Sequence, residues 1–116
     1  MMASPGSAPQ KLLVVITSDP EADALIRALV ERGYPATKVS STGGFLRRGS
    51  ATILSGVDET DVDNVLAIVR RECRARTEMV PQSAIPFPQG VVQELAEVRV
   101  GGAIVFVLPV DHFEKT

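Results

Sequence analysis

Tryptophan is absent, cysteine and histidine occur once each, and aromatic residues make up only 4% of the chain. A single cysteine, Cys73, forbids an internal disulfide framework and makes a reducing, cytoplasmic setting the default. With one cysteine and one histidine, no constellation with metal-ligand spacing exists, and no metal site is expected. No stretch approaches the roughly 18 continuous apolar residues of a membrane span. Neither sign of charge dominates: the formal net charge is -2, which gives no broad attraction for a nucleic acid polymer. A small anionic ligand, held by backbone amides and one or two arginines, stays compatible with that balance. The first ten residues, MMASPGSAPQ, lack the basic and long apolar regions of a secretory signal. Small, polar and proline-containing, they predict a disordered tail, leaving residues 11–116 as one domain.

What is present is enough for a core: 45% of the 116 residues are apolar. Lys11–Thr17 (KLLVVIT) is a short, β-rich apolar run, read as a central strand. Ser18, Pro20 and Glu21 then form a helix start signal. Ala22, Leu25, Ile26, Leu29 and Val30 follow at helical spacing, and Gly33 supplies a stop. Pro35 opens a second strand through about Ser40, which Thr42-Gly43-Gly44 breaks. A third strand is expected over about Ala51–Val57. Asp58 and Asp61 start a second helix carrying Val62, Val65, Leu66, Val69 and Cys73 on one face. From about Ala75 to Leu95 the pattern reads as a loop, long enough to be functional or mobile. Glu97–Val100, the Gly101-Gly102 turn and the apolar run Ala103–Val110 predict a short closing hairpin.

The order strand, helix, strand, strand, helix, strand predicts an α+β fold: a ferredoxin-like βαββαβ sandwich with both helices on one face of a four-stranded antiparallel sheet. Neighbouring strand residues point to opposite faces, so LLVVI and AIVFVLPV place apolar side chains on both. The face without helices then exposes Leu13, Val15 or their alternates together with Ile104, Phe106 and Leu108. A patch of that kind predicts self-assembly.

Thr42–Ser50 (TGGFLRRGS) is the most unusual segment. Its three glycines let backbone amides approach a ligand closely; Phe45 and Leu46 offer apolar surface to a base; Arg47 and Arg48 suit phosphate. Read from residues alone, it is either such a site or a plain connection whose Phe-Leu pair folds back on the core. Gly44 and Gly49 share the spacing of a P-loop, but Ser50 stands where its lysine belongs and Ala51 where its magnesium hydroxyl belongs. The segment also leads into a strand, whereas a P-loop opens a helix. Cys73 on an apolar helix face reads as a small core residue, and His112 has no nucleophile motif near it. The carboxylates cluster at helix starts, where the dipole accounts for them. No enzyme is expected.

Together with Ala36-Thr37-Lys38, Thr42–Arg47, Gly49 and Gly56-Val57, the ending GGAIVFVLPVD at Gly101–Asp111 resembles the cyclic di-AMP receptor branch of the PII-like proteins. The resemblance covers about Leu12 to Phe113. It implies a ferredoxin-like subunit assembled as a homotrimer, with cyclic di-AMP between neighbours, no further cofactor, and a long loop after the second helix that rearranges with ligand. Carried over by position, binding falls on Thr37, Gly43, Gly44, Phe45, Leu46, Arg47, Ser50 and Gly56, with Phe106 lining the cleft. The family usually shows asparagine at Ser50, threonine at Ala51, and frequently arginine at Pro35. Serine reaches less far than asparagine toward an adenine edge, and one lost contact of this kind costs about 1–3 kcal/mol.

The function this implies is signal transduction: cyclic di-AMP occupancy relayed through mobile loops to an unidentified protein partner. Two alternatives stand beside it. One is a PII-like module binding another adenine nucleotide or small anion at the same cleft; the other is a ligand-free interaction protein working through the 75–95 segment.

Overall fold

Side chains of β1 (Lys11–Ser18) alternate between two environments. Leu13, Val15 and Thr17 are buried, whereas Leu12, Val14 and Ile16 face the other way and keep partial exposure. The computed structural model describes residues 8–40, 49–81 and 95–116. After β1 come α1 (Asp19–Glu31), β2 (Thr37–Ser40), β3 (Ser50–Val57), α2 (Val62–Glu72), β4 (Arg76–Pro81), β5 (Leu95–Val100) and β6 (Ala103–Pro109).

Strands β2, β3, β1 and β6, in that spatial order, make a four-stranded sheet in which every neighbouring pair is antiparallel. With the two helices packed over its buried side, this is the ferredoxin-like arrangement expected from the element order. The core lies between them. Leu13, Val15 and Ile53 of the sheet meet Leu25 and Leu29 of α1 and Val65, Ile68 and Val69 of α2. Each fully buried aliphatic side chain of this set contributes about 1.5–3 kcal/mol. Two buried side chains tie the layers together: Ser55 Oγ donates to the Pro35 carbonyl at 2.7 Å, joining the start of β2 to β3, and the Tyr34 hydroxyl donates to Asp61 Oδ1 at 3.5 Å, whereas the buried Ser18 Oγ has no partner among the described residues.

Four local expectations need correction. The 75–95 segment is not simply a loop: β4 occupies Arg76–Pro81 and β5 begins at Leu95. Residues 97–100 and 103–110 do not form a hairpin either, since β5 pairs with β4, and β6 pairs with β1. Gly101 and Gly102, with φ of 75° and 85°, turn the chain from one sheet into the other instead of reversing it within one. At the start of α1 the Ser18 side chain makes no capping bond, and neither Asp58 nor Asp61 caps at the second helix start. Finally, Val30 points to solvent and Ala28 takes the buried position in α1. The contact is rotated toward Ala28, so Ala22, Leu25, Ile26, Ala28 and Leu29 meet the core and Val30 falls at its solvent edge.

Candidate functional site

The register assigns a face to every strand residue. Leu12 lies opposite Gly56 and Leu108, Val14 opposite Leu54 and Phe106, and Ile16 opposite Thr52 and Ile104. On the outer strand, Thr37 pairs with Leu54 and Val39 with Thr52. All of these point away from the helices. The face is strongly apolar and uncovered along its edges: Ile104 is 59% exposed, Phe106 51%, Leu108 44% and Val39 45%. Open apolar faces of this kind are typical of interaction or ligand-binding surfaces.

Thr37, Ser50, Gly56 and Phe106 all belong to it by alternation and register. They do not converge within one chain. Thr37 and Phe106 sit on the two outer strands, three strand spacings or about 14 Å apart. Ser50 and Gly56 stand at the two ends of β3, about 20 Å apart along the strand. Gly43, Gly44, Phe45, Leu46 and Arg47 lie outside the described residues. Gly49, where the described residues resume, is anchored: the Asp19 amide donates to its carbonyl at 2.8 Å and so holds Ser50 beside the start of α1.

Lys38 is committed elsewhere. Its Nζ lies 3.0 Å from Asp23 Oδ1 and 3.6 Å from Asp19 Oδ1, on the helix side of β2. The hydrogen bond to Asp23 is the main reason its pKa is raised. Lys38 therefore locks α1 to the edge strand, while its neighbour Thr37 presents its side chain to the open face.

The sequence model of the cyclic-di-AMP receptor family matches residues 10–116. The chain belongs to the cyclic-di-AMP receptor family. It is also similar to the crystal structure of a protein of unknown function from Pediococcus pentosaceus, with 34% identity and a TM-score of 0.70 over 95% of this chain and 100% of that one.

The three positions at which the sequence departs from the expected pattern, Ser50, Ala51 and Pro35, are not equivalent. Ala51 is completely buried and faces the helices, so the missing threonine hydroxyl falls on the core side and not on the open face. Pro35 precedes β2, its carbonyl engaged by Ser55. Only Ser50 stands on the open face itself.

Among the described residues the other reactive groups are scattered. Burial pushes the Cys73 thiol up, a hydrogen bond with Thr17 partly opposing it. His112 Nε2 is exposed, 3.1 Å from Glu114 Oε1. Among the described residues no group of three His, Cys, Asp or Glu side chains could hold a metal ion, and no helix is long and apolar enough to cross a membrane. Beside α2, the uncovered inner edge of β6 leaves a groove of about 630 Å³, lined by Leu66, Val69, Cys73, Val105 and Val107 with Arg70 and Arg74 at its rim.

Sequence reasoning missed the base of the β4–β5 hairpin. Thr17 Oγ1 donates to the Gly102 carbonyl at 2.7 Å. Arg76 Nη1 reaches Glu21 Oε1 of α1 at 3.4 Å, and its Nε reaches Glu78 Oε1 at 3.0 Å. Residues that start the hairpin are thereby tied to the same end of the sheet as Ser50. The adjacent glycines were the visible signal, but nothing in spacing showed that they join two sheets.

Proposed function

We propose that this chain binds cyclic di-AMP between copies of itself, on the open sheet face, and passes occupancy through its loops to a protein partner. Thr37, Gly43, Gly44, Phe45, Leu46, Arg47, Ser50 and Gly56 from one copy, with Phe106 from the next, form the site in this reading. The observation that carries it is the placement of Thr37 and Phe106 on one face but at opposite edges. A ligand touching both is reached most simply when the β2 edge of one copy meets the β6 edge of another. Family membership over residues 10–116 supports the ligand, and the exposed Ile104, Phe106 and Leu108 support a homotrimer that covers them. Amides and hydroxyls suit phosphates and adenine edges, and the Phe and Leu side chains suit adenine faces. The reading is of a cytoplasmic, non-enzymatic receptor.

Isothermal titration with cyclic di-AMP, paired with light scattering, tests this. The expected result is saturable binding to a trimer, and its loss together with trimerisation in Phe106→Asp, whose half-exposed position tolerates the change within one chain. A folded trimer that produces no heat with cyclic di-AMP contradicts the reading. One observation favours a second reading, another adenine nucleotide at the same face: Ser50, the one departure on that face, reaches less far than asparagine. A thermal-shift comparison of ATP, ADP, AMP and cyclic di-AMP separates the two.

A further inference from the structure

Gly56 already has an occupant. A Cβ at this position would lie 3.1 Å from Pro9 Cβ and 3.3 Å from Pro9 Cγ. The proline ring therefore rests on the glycine from the side where a side chain would project. Alternation along β3 turns that side away from the helices, onto the open face.

The neighbour of Pro9 explains how the ring is held there. The Gln10 amide donates to the Val57 carbonyl at 3.0 Å, and its own carbonyl accepts from the Val110 amide at 3.0 Å. Its side-chain oxygen accepts from the Glu59 amide at 3.0 Å. Gln10 thus continues the ladder of β1 between its two neighbours. Pro9 has no N–H with which to join that ladder, and its ring lies against Gly56.

A base or sugar seated on Gly56 needs the volume that Pro9 fills. The missing side chain lets either one approach the backbone, but not both together. We propose that Pro9 is a displaceable cover on the ligand face, lying on Gly56 in the free protein and leaving it when cyclic di-AMP binds. The inference rests on the reading of that face as the cyclic di-AMP site. Gln10 need not move with Pro9, because three hydrogen bonds hold it in place. Apparent affinity then equals the intrinsic affinity reduced by the uncovered fraction, so a cover closed nine-tenths of the time weakens binding about tenfold.

Titration of cyclic di-AMP into the full chain, a chain in which one methionine replaces residues 1–9, and full-length Pro9→Gly tests the cover. Melting without ligand is followed for each. The expected result is about three- to tenfold tighter binding by both altered chains, with melting unchanged. Binding by the full chain that the alterations leave equal or weaker overturns the cover and leaves the ligand assignment standing. No heat from any of the three, each folded, overturns both. If the shortened chain fails to fold, Pro9→Gly decides alone.

Discussion

The Thr17 hydroxyl donates to the carbonyl of Gly102 at 2.7 Å, across a sequence separation of 85 residues. This bond joins the end of the central strand to the pivot at which the chain leaves the β4–β5 hairpin for β6. Thr17 is itself buried, so water replaces the bond poorly. Thr17→Val keeps the shape of the side chain and strands the carbonyl, which costs about 1–3 kcal/mol. The expected outcome is a lower urea midpoint, with faster amide exchange in β5 and at the start of β6.

Gly101 and Gly49 both hold positive φ, of 75° and 83°, yet they predict different costs. A Cβ on Gly101 would stand 2.5 Å from the Arg74 carbonyl oxygen, whereas one on Gly49 meets nothing within 4 Å. Gly49→Ala should cost only the backbone strain, about 1–2 kcal/mol. Gly101→Ala adds a collision with backbone that cannot swing away, and its melting temperature should fall further than that of Gly49→Ala.

Ser50 and Ala51 are adjacent but point to opposite sides of the sheet. Restoring the family's residue at each should therefore separate their effects. Ser50→Asn is expected to tighten cyclic di-AMP binding about tenfold, the worth of one added polar contact. Ala51→Thr, facing the helices, is expected to leave affinity unchanged in the same titration. Equal gains from both would contradict the face assignment.

Alkaline solution should weaken the fold. Burial raises the Cys73 thiol above its ordinary 9.0, and burial likewise raises the Tyr34 hydroxyl above 10.0. In both cases the folded chain holds its proton to higher pH than the unfolded chain does. The stabilisation is therefore complete below the unfolded value and is lost as pH rises through the folded one. Lys38, raised above 10.5 by its bond to Asp23, acts in the same direction at still higher pH. Urea midpoints should hold up to about pH 9 and decline beyond it; Cys73→Ala should remove the first part of that decline.

By itself the sequence determined the βαββαβ order, both helices and the two-faced apolar sheet. These follow from local pattern: the continuous β-rich apolar run in residues 11–17 and the helical spacing in 22–30 are read without knowing any partner. The Gly-rich segment and the GGAIVFVLPVD ending were likewise enough to indicate the family. Only the tertiary structure decided what β5 pairs with, since the hydrogen-bonding edges of Glu97–Val100 suit β6 or β4 equally well and nothing local chooses between them. It also decided that Thr37 and Phe106 lie on opposite edges of one face, that Ala51 faces the core, and that Pro9 lies on Gly56. Each depends on strand order or register, which are set by contacts between residues far apart in the chain. A single strand records the alternation of its side chains, but not the neighbour that each side chain meets.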